Sequence, residues 1–292
     1  MTLDTSLSFA RYLEAKRTVD DRALNVRVWD RLSAELSVLS GSLDRPLQVL
    51  EIGGGVGTMV ERLRYGSMLE RCTYVLLDSD PDLIDSAQNR LFQNGAPEIE
   101  FVVADAFSYL ENEGRNRPWD LIVANAVLDL TDLRKSIPAL LQALEPGGLL
   151  YASINYDGMT TFAPVIDPEL DARIERLYNA AMHSPLPDGT IPAGSHAGRE
   201  LIPVIRESRG DVLEAGSSDW VVYSDRHGYH GDEEYFLRHI LGFVEETLSG
   251  HPEIDHETLS DWLATRQWQI RTGELVYIAH QLDVLARPQQ SE

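Results

Sequence analysis

Cysteine and basic side chains are scarce in this chain, and each shortage excludes a class of protein. Cys72 is the one cysteine, so no intrachain disulfide can form. Lys and Arg number 25 against 47 Asp and Glu, which gives a formal net charge of −22 over 292 residues. A field of this sign repels phosphate backbones and anionic lipid, so neither nucleic acid nor a membrane is expected as a partner.

Long apolar runs are also missing. No stretch approaches the length that spans a membrane, and the start Met1-Thr-Leu-Asp4 lacks the basic residues and apolar segment of a secretory signal. A cytoplasmic location is therefore expected. The length suffices for one large domain or two small ones.

Short apolar segments alternate with helical ones between residues 47 and 154. Helices are predicted over residues 58–68, 82–94 and 133–144. This alternation is typical of an α/β fold, a doubly wound and mostly parallel sheet with helices on both faces. The strands are predicted at Leu47–Ile52, Thr73–Leu77, Ile99–Val103, Trp119–Ala124 and Leu149–Ile154.

The pattern changes outside this region. Residues 6–39 have helical spacing, and two more strands are predicted at Asp211–Tyr223 and Glu274–Ala286. Further helices are predicted over residues 168–183, 199–209, 232–248 and 255–270.

A glycine-rich stretch, Glu51-Ile-Gly-Gly-Gly-Val-Gly57, follows the first strand. Residues without a Cβ let backbone amides approach a ligand at a strand-to-helix turn. The dinucleotide fingerprint is G-x-G-x-x-G, but the third glycine comes one position early and Thr58 stands in its place. The stretch therefore departs from the dinucleotide fingerprint, and by itself it is compatible with another nucleotide-like cofactor or with a tight turn that binds no ligand.

Acidic or amide residues end the next three predicted strands, at Asp78, Asp105 and Asn125. With the glycine stretch, this arrangement resembles the class I S-adenosylmethionine-dependent methyltransferases. The resemblance covers about residues 47–155 well and the last two strands more loosely. It implies a seven-stranded sheet with an antiparallel last strand, and S-adenosyl-L-methionine as cofactor.

The resemblance also implies roles for individual residues. Asp78 would accept from the ribose hydroxyls, because nucleotide-binding folds place a carboxylate at the end of this strand. Asp80 is expected to cap the next helix. Asp105 would meet the adenine and Asn125 the methionine portion. The predicted cofactor residues are Glu51, Gly53, Gly54, Gly55, Gly57, Asp78, Ser79, Asp105, Ala106, Phe107 and Asn125.

Two departures narrow the class. The stretch Asn125-Ala-Val-Leu-Asp129 lacks the Asn/Asp-Pro-Pro-aromatic loop of enzymes that methylate amino groups of nucleic-acid bases or glutamine side chains. No His or Cys cluster is evident, and the pair His227 and His230 has no third ligand, so no metal is expected.

The segments outside the alternating region predict a cap over the cofactor. Ligands bind at the carboxyl ends of parallel strands, and two insertions begin on that side. The predicted core comprises residues 41–155, 199–223 and 274–292. The predicted cap comprises the N-terminal helices over residues 1–40 and the insertions 156–198 and 224–273. Such a cap suits a small-molecule acceptor.

Several polar residues are candidates for the acceptor side. A general base or orienting group is sought among His227, Tyr229, His230, His196 and Asp129. Substrate contacts are sought among Tyr12, Lys16, Arg22 and Arg199. Each group has a simpler explanation as a polar loop, a helix cap or a solvated helix face.

The sequence thus predicts a methyltransferase acting on an O, N or C atom of a small molecule. A noncatalytic partner protein of the same fold and a protein-directed methyltransferase stay open as alternatives. A nicotinamide oxidoreductase is disfavoured by Gly57 and Thr58. The oligomeric state is undetermined, and a homodimer is compatible with the sequence.

Overall fold

The computed structural model describes residues 8–66, 68–69, 71–93 and 99–289. In this part of the chain eight strands form one sheet, in the order β3-β2-β1-β4-β5-β8-β6, with β7 also paired to β8. The strands are β1 (Leu47–Ile52), β2 (Cys72–Asp78), β3 (Ile99–Val103), β4 (Trp119–Asn125), β5 (Leu144–Ala163), β6 (Gly210–Ser217), β7 (Trp220–Val222) and β8 (Val276–Pro288).

Strands β1 to β5 are parallel, and β8 is antiparallel to β5, β6 and β7. Strand β6 therefore runs parallel to β5. The predicted α/β class with an antiparallel last strand is confirmed. The carboxyl ends of β1 to β4 meet at one edge, because parallel strands in register end on the same side.

The predicted sixth strand is divided into β6 and β7. The interruption falls at Ser218 and Asp219, where Asp219 Oδ1 accepts from the backbone N–H of Gln281 at 3.3 Å and lies 2.7 Å from Nδ1 of His280. The Asp219 carboxylate therefore binds a backbone N–H of β8 that would pair with the neighbouring strand if the ladder were uninterrupted. The prediction of one continuous strand over Asp211–Tyr223 was therefore wrong.

Strand β5 is far longer than the predicted Leu149–Ile154. Beyond Ile154 it continues to Ala163 and pairs with the first half of β8, where Thr160 faces Ala279. The dipeptide Asp157-Gly158 indicates a turn in the sequence, but it falls where the pairing register shifts between Tyr156 and Thr160. The strand passes through this irregularity rather than ending there.

Helices cover both faces of the sheet. They are α1 (Phe9–Ala15), α2 (Arg17–Ala23), α3 (Val26–Ser42), α4 (Thr58–Tyr65), α5 (Pro81–Gln93), α6 (Ala106–Glu111), α7 (Leu133–Ala143), α8 (Pro168–Ala181), α9 (Ala197–Glu207), α10 (Glu233–Leu248) and α11 (His256–Thr272). Short 3-10 helices span Leu128–Leu130 and Gly194–His196. Among the described residues, no helix combines the length and apolar character needed to cross a bilayer.

The N-terminal region predicted as helical comprises three helices. Leu24 leaves the helical conformation after α2, with φ −48° and ψ 128°, and the Asn25 side chain accepts from the backbone N–H groups of Arg27 and Val28. A side-chain cap of this kind starts a new helix. The beginning of the predicted helix at residue 6, Asn94 at the predicted end of α5 and the tail after residue 289 lie outside the described residues.

Three apolar clusters form the core. One joins α7 and α9 to one face of the sheet, and another joins α3, α4 and α5 to the opposite face. The third lies beyond the strand ends, where α1, α8, α10 and α11 pack on the extended parts of β5 and β8. This third cluster surrounds the region described next.

Candidate active site

The glycine stretch forms a loop fixed to the end of β2. Gly53, Gly55 and Gly57 have positive φ angles of 60°, 52° and 77°. The N–H of Gly55 donates to Asp78 Oδ2 at 2.9 Å, and the N–H of Gly54 donates to the Leu77 carbonyl at 2.9 Å. Glycine suits these conformations because it lacks the Cβ that strains left-handed backbone.

A cavity of about 490 Å³ opens in front of this loop. We call it the loop cavity. Apart from Glu51 and Gly57, all the cofactor residues predicted from the sequence line it. They are Gly53, Gly54, Gly55, Asp78, Ser79, Asp105, Ala106, Phe107 and Asn125.

Glu51 and Gly57 lie behind the loop instead. The Glu51 carboxylate is buried and accepts from the Tyr74 hydroxyl at 2.7 Å. Burial raises the pKa of Glu51 to about 7, although the Tyr74 hydrogen bond and Arg62 oppose the shift. Gly57 precedes α4, where an added Cβ would come within 2.8 Å of Leu91. These two residues therefore support the loop on the side that faces away from the cavity.

The loop cavity fits an adenosyl cofactor. Asp78 Oδ2 accepts from Gly55 and Oδ1 accepts from the N–H of Asp80 at 3.0 Å, so each oxygen keeps lone-pair capacity for a hydroxyl of a vicinal diol. An added Cβ at Gly53 would lie 2.6 Å from Val127 Cγ2, so only glycine fits at this point of the loop. Phe107 supplies an apolar wall.

The remaining strand-end residues are held by local hydrogen bonds. Asp105 caps α6 by accepting from the N–H of Ser108 at 2.8 Å. Asn125 Oδ1 accepts from the Ser153 hydroxyl at 2.8 Å across the neighbouring strands β4 and β5. Both side chains are therefore fixed in orientation at the rim of the cavity before any ligand arrives.

A second cavity of about 450 Å³ adjoins the first. We call it the aromatic cavity, because six aromatic side chains besides Phe9 line it. Phe9, Leu13, Lys16, Ala126 and Leu130 line both cavities. The six aromatic residues are Tyr12, Tyr156, Tyr178, Trp220, Phe243 and Tyr277, and α1, α8 and α10 supply three of them.

Two charged residues line the aromatic cavity, Lys16 and Asp129. The Lys16 ammonium lies 3.6 Å from Asp20 Oδ2 and 5.4 Å from the centre of the Trp220 ring. Asp129 Oδ1 is buried and has no hydrogen-bond partner within the described ranges. Burial raises the pKa of Asp129, and Lys16 and nearby backbone N–H groups oppose that shift in part.

Three of the residues predicted for the acceptor side therefore lie at this cavity: Tyr12, Lys16 and Asp129. Tyr12 is buried and stacks on His239 with ring centres 4.5 Å apart and on Phe236 at 5.8 Å. These contacts fix α1 on α10. Helix α1 thus forms a shared wall of both cavities.

The loop after β7 does not reach either cavity. His227 and His230 are exposed, and the Tyr229 hydroxyl donates to the Leu275 carbonyl at 2.8 Å. The Asp225 carboxylate accepts from the N–H of His227, which holds a tight surface turn. This placement supports the simpler explanation of a polar loop leading into α10.

His196, Arg199 and Arg22 also lie elsewhere. His196 is exposed, with its ring 4.7 Å from that of His183. Arg199 pairs with Asp157 at 2.8 Å, and Arg22 pairs with the buried carboxylate of Glu233. Arg199 thus joins the segment 156–198 to the segment 199–223, and Arg22 joins α2 to the start of α10. Among the described residues, no group of three potential His, Cys, Asp or Glu ligands converges on a metal-sized site.

Several lining residues were missed by the sequence analysis. Tyr178 lies on α8, within the helix predicted over residues 168–183, and Tyr156 lies on the unpredicted extension of β5. Gln281 and Tyr277 belong to the last strand, which gave no functional signal. An apolar helix face and a pocket wall have the same residue pattern, so periodicity alone could not separate them.

The strand order, the glycine loop and the strand-end carboxylates together define a class I, S-adenosylmethionine-dependent methyltransferase. A family model described as a methyltransferase domain matches residues 43–194, just over half of the chain. The chain belongs to this family. S-adenosyl-L-methionine is its cofactor, and the loop cavity is where the described residues fit it.

The solved structures that the chain is similar to are distant from it in sequence. A Bacillus halodurans protein assigned as a methyltransferase is 13% identical, with a TM-score of 0.50, covering 88% of this chain and 98% of its own. The YcgJ protein from Bacillus subtilis is 13% identical, with a TM-score of 0.47 and coverages of 88% and 99%. A Galdieria sulphuraria protein assigned as a sarcosine dimethylglycine methyltransferase is 15% identical, with a TM-score of 0.43 and coverages of 89% and 85%. No curated protein matches the chain.

Proposed function

We propose that this methyltransferase transfers a methyl group to an O, N or C atom of a small molecule held in the aromatic cavity. The observation that carries the proposal is the adjacency of the two cavities, which share five lining residues. A cavity of about 450 Å³ is in the range of small-molecule sites, which are mostly apolar with a few polar groups.

The walls of the aromatic cavity support a capped site. Helix α1 contributes Phe9, Tyr12 and Leu13, α8 contributes Tyr178, and α10 contributes Ile240, Phe243 and Thr247. These helices belong to the N-terminal segment 1–40 and the insertions 156–198 and 224–273. We assign all three segments to a cap that encloses the acceptor, with the core formed by residues 41–155, 199–223 and 274–292.

The chemistry needs little from the protein beyond positioning. When bound, S-adenosylmethionine supplies a methyl group already activated by its positively charged sulfur. The chain's residues hold the acceptor in line with that group and exclude water, and positioning can lower a barrier by about 7–11 kcal/mol in favourable systems. Where the acceptor carries a proton, Asp129 is the described cavity residue suited to receive it.

A labelling experiment tests this proposal. The full-length protein is incubated with S-adenosylmethionine carrying a labelled methyl group and with cell extract separated into metabolite and macromolecule fractions. We expect the label in the metabolite fraction. Transfer confined to protein would favour a protein-directed enzyme, and binding of the cofactor without any transfer would favour a noncatalytic partner; either result would overturn the proposal.

A further inference from the structure

We propose that the acceptor is an amine, bound in the aromatic cavity as its ammonium form against Asp129 and the surrounding rings. This inference rests on the proposed function and specifies its substrate class. Three independent features of the cavity support it: its aromatic walls, its carboxylate and its charge balance.

The aromatic walls combine phenol, indole and phenyl rings with buried hydroxyls. Four tyrosines line this one cavity, and burial raises the pKa of Tyr277. They are Tyr12, Tyr156, Tyr178 and Tyr277. Phenol and indole rings attract a desolvated cation through their electron-rich faces. The Tyr156 hydroxyl is held by Thr160 at 2.7 Å and Asn179 at 2.8 Å, which fixes its ring.

Asp129 supplies the complementary charge. It sits on the 3-10 helix Leu128–Leu130, directly after the segment that lines both cavities. Its Oδ1 is buried and without a hydrogen-bond partner in the part of the chain that the structure describes. A buried acceptor of this kind is costly unless a ligand donates to it. An ammonium group is such a donor, whereas an ether or a carboxylate is not.

The cations near the cavity are already compensated. Lys16 faces Asp20, and Arg62 lies 3.5 Å from Asp20 and 2.6 Å from Asp21. Lys16 and Arg62 thus both face carboxylates of α2 beside Trp220, whose Nε1 donates to Asp20 at 2.9 Å. Asp129 is left as the carboxylate that lines the cavity, and an ammonium ligand neutralises it.

The transfer balances with Asp129 as proton acceptor. The ammonium R–NH₃⁺ gives one proton to the carboxylate and becomes R–NH₂. The nitrogen lone pair then forms the N–C bond as the C–S bond breaks and its electron pair returns to sulfur. The products are R–NH₂–CH₃⁺, S-adenosylhomocysteine and protonated Asp129, which releases its proton to solvent.

Calorimetry with matched probes tests the inference on the full-length protein. Phenethylamine, 2-phenylethanol and phenylacetate have similar size but differ in charge. We expect phenethylamine to bind about tenfold more tightly than 2-phenylethanol, with phenylacetate weakest. Equal or tighter binding of the alcohol or the anion, or no binding of any probe, would overturn the inference.

Variants assign the selectivity to the cavity. Asp129→Asn should reduce phenethylamine affinity about tenfold and leave 2-phenylethanol affinity nearly unchanged, whereas Asp261→Asn on the exposed face of α11 should alter neither. If Asp129→Asn does not fold, Tyr178→Leu and Tyr178→Phe provide the test, because only leucine removes the ring. Equal loss of amine and alcohol binding in Tyr178→Leu would contradict a cation-binding wall.

The same titrations separate this inference from the proposed function. S-adenosylhomocysteine is titrated first, and each probe is then titrated with and without it. Failure of S-adenosylhomocysteine to bind would overturn the proposed function, whatever the selectivity among the probes. Loss of probe selectivity with normal S-adenosylhomocysteine binding would overturn the amine inference alone.

Discussion

The backbone N–H of Gly55 donates to the Asp78 carboxylate at 2.9 Å, so the residue expected to hold the ribose also holds the glycine loop. Asp78→Ala removes the acceptor for both Gly55 and Asp80. We expect the dissociation constant for S-adenosylhomocysteine to rise roughly tenfold to a hundredfold. Calorimetric titration measures it, with the melting temperature as a check on folding.

Asp80→Ala is the matched control. Asp80 also lines the loop cavity, but its Oδ1 accepts from Asp82 at the start of α5. It should lower stability slightly and change cofactor affinity by less than about threefold. Equal effects of the two substitutions would refute a specific ribose role for Asp78.

Gly55→Ala tests the shape of the loop. Gly55 has a φ of 52°, and an added Cβ would lie 2.9 Å from Leu13 Cδ1 on α1. We expect about 1–2 kcal/mol of lost stability from the left-handed backbone, together with weaker S-adenosylhomocysteine binding. Gly189→Ala has the same strain at φ +84° with nothing within 4 Å. It should lose stability without losing affinity, and weakened binding there would contradict the local explanation.

Glu51→Gln tests the buried acid beneath the loop. The pKa of Glu51 in the folded state, about 7, exceeds the ordinary value of 4.5, so between these pH values the folded state keeps a proton that the unfolded state has lost. The free energy of unfolding should therefore fall as pH rises through this window, by roughly 3 kcal/mol. Glutamine can still accept from Tyr74 but cannot ionise, so the variant should lack this decline.

Urea unfolding at about pH 5 and about pH 8 measures the difference. Tyr74→Phe is the companion variant, because it removes a hydrogen bond that lowers the Glu51 pKa and should deepen the decline. Parallel pH curves for the wild-type protein and Glu51→Gln would show that Glu51 is ionised at no net cost in the folded state.

The titration of Asp129 tests whether burial raises the pKa of this carboxyl and whether Lys16 lowers it. Burial raises its pKa above 3.8, and Lys16 opposes the shift, while the facing phenols of Tyr12 and Tyr178 stay neutral because burial raises their own pKa values. Carboxyl ¹³C resonances, assigned by comparison with Asp129→Asn, should give a raised midpoint. Lys16→Met should raise it further. A lower midpoint in Lys16→Met would show that the lysine does not act on this carboxylate.

The sequence predicted the residues of the loop cavity better than those of the aromatic cavity. Gly53, Asp78 and Asp105 are recognisable because a turn, a strand end and a helix start constrain their residue types, and the structure brings them to one cavity. The histidines after β7 were chosen for their chemistry alone. In the structure His227 and His230 are exposed, and the segment forms a local turn in which Asp225 accepts from the N–H of His227.

The aromatic cavity depends on packing between segments that are distant in the sequence. Tyr12, Tyr178 and Tyr277 come from α1, α8 and β8, and none has a local pattern that separates a cavity wall from a core position. The extension of β5 was missed for a related reason, since its pairing with β8 overrides the turn signal at Asp157-Gly158. Local propensity is weak where long-range pairing decides the conformation.

Strand β5 connects the two cavities. Ser153 orients Asn125 at the loop cavity, and a few residues later Tyr156 and Thr160 line the aromatic cavity. In the proposed reaction, the spacing between the methyl donor and the acceptor would therefore depend on one continuous strand segment instead of on a hinge. Inserting or deleting one residue there would reverse which side chains face the cavity. New acceptor preferences in such a protein should consequently arise by exchange of side chains, with the length of this strand preserved.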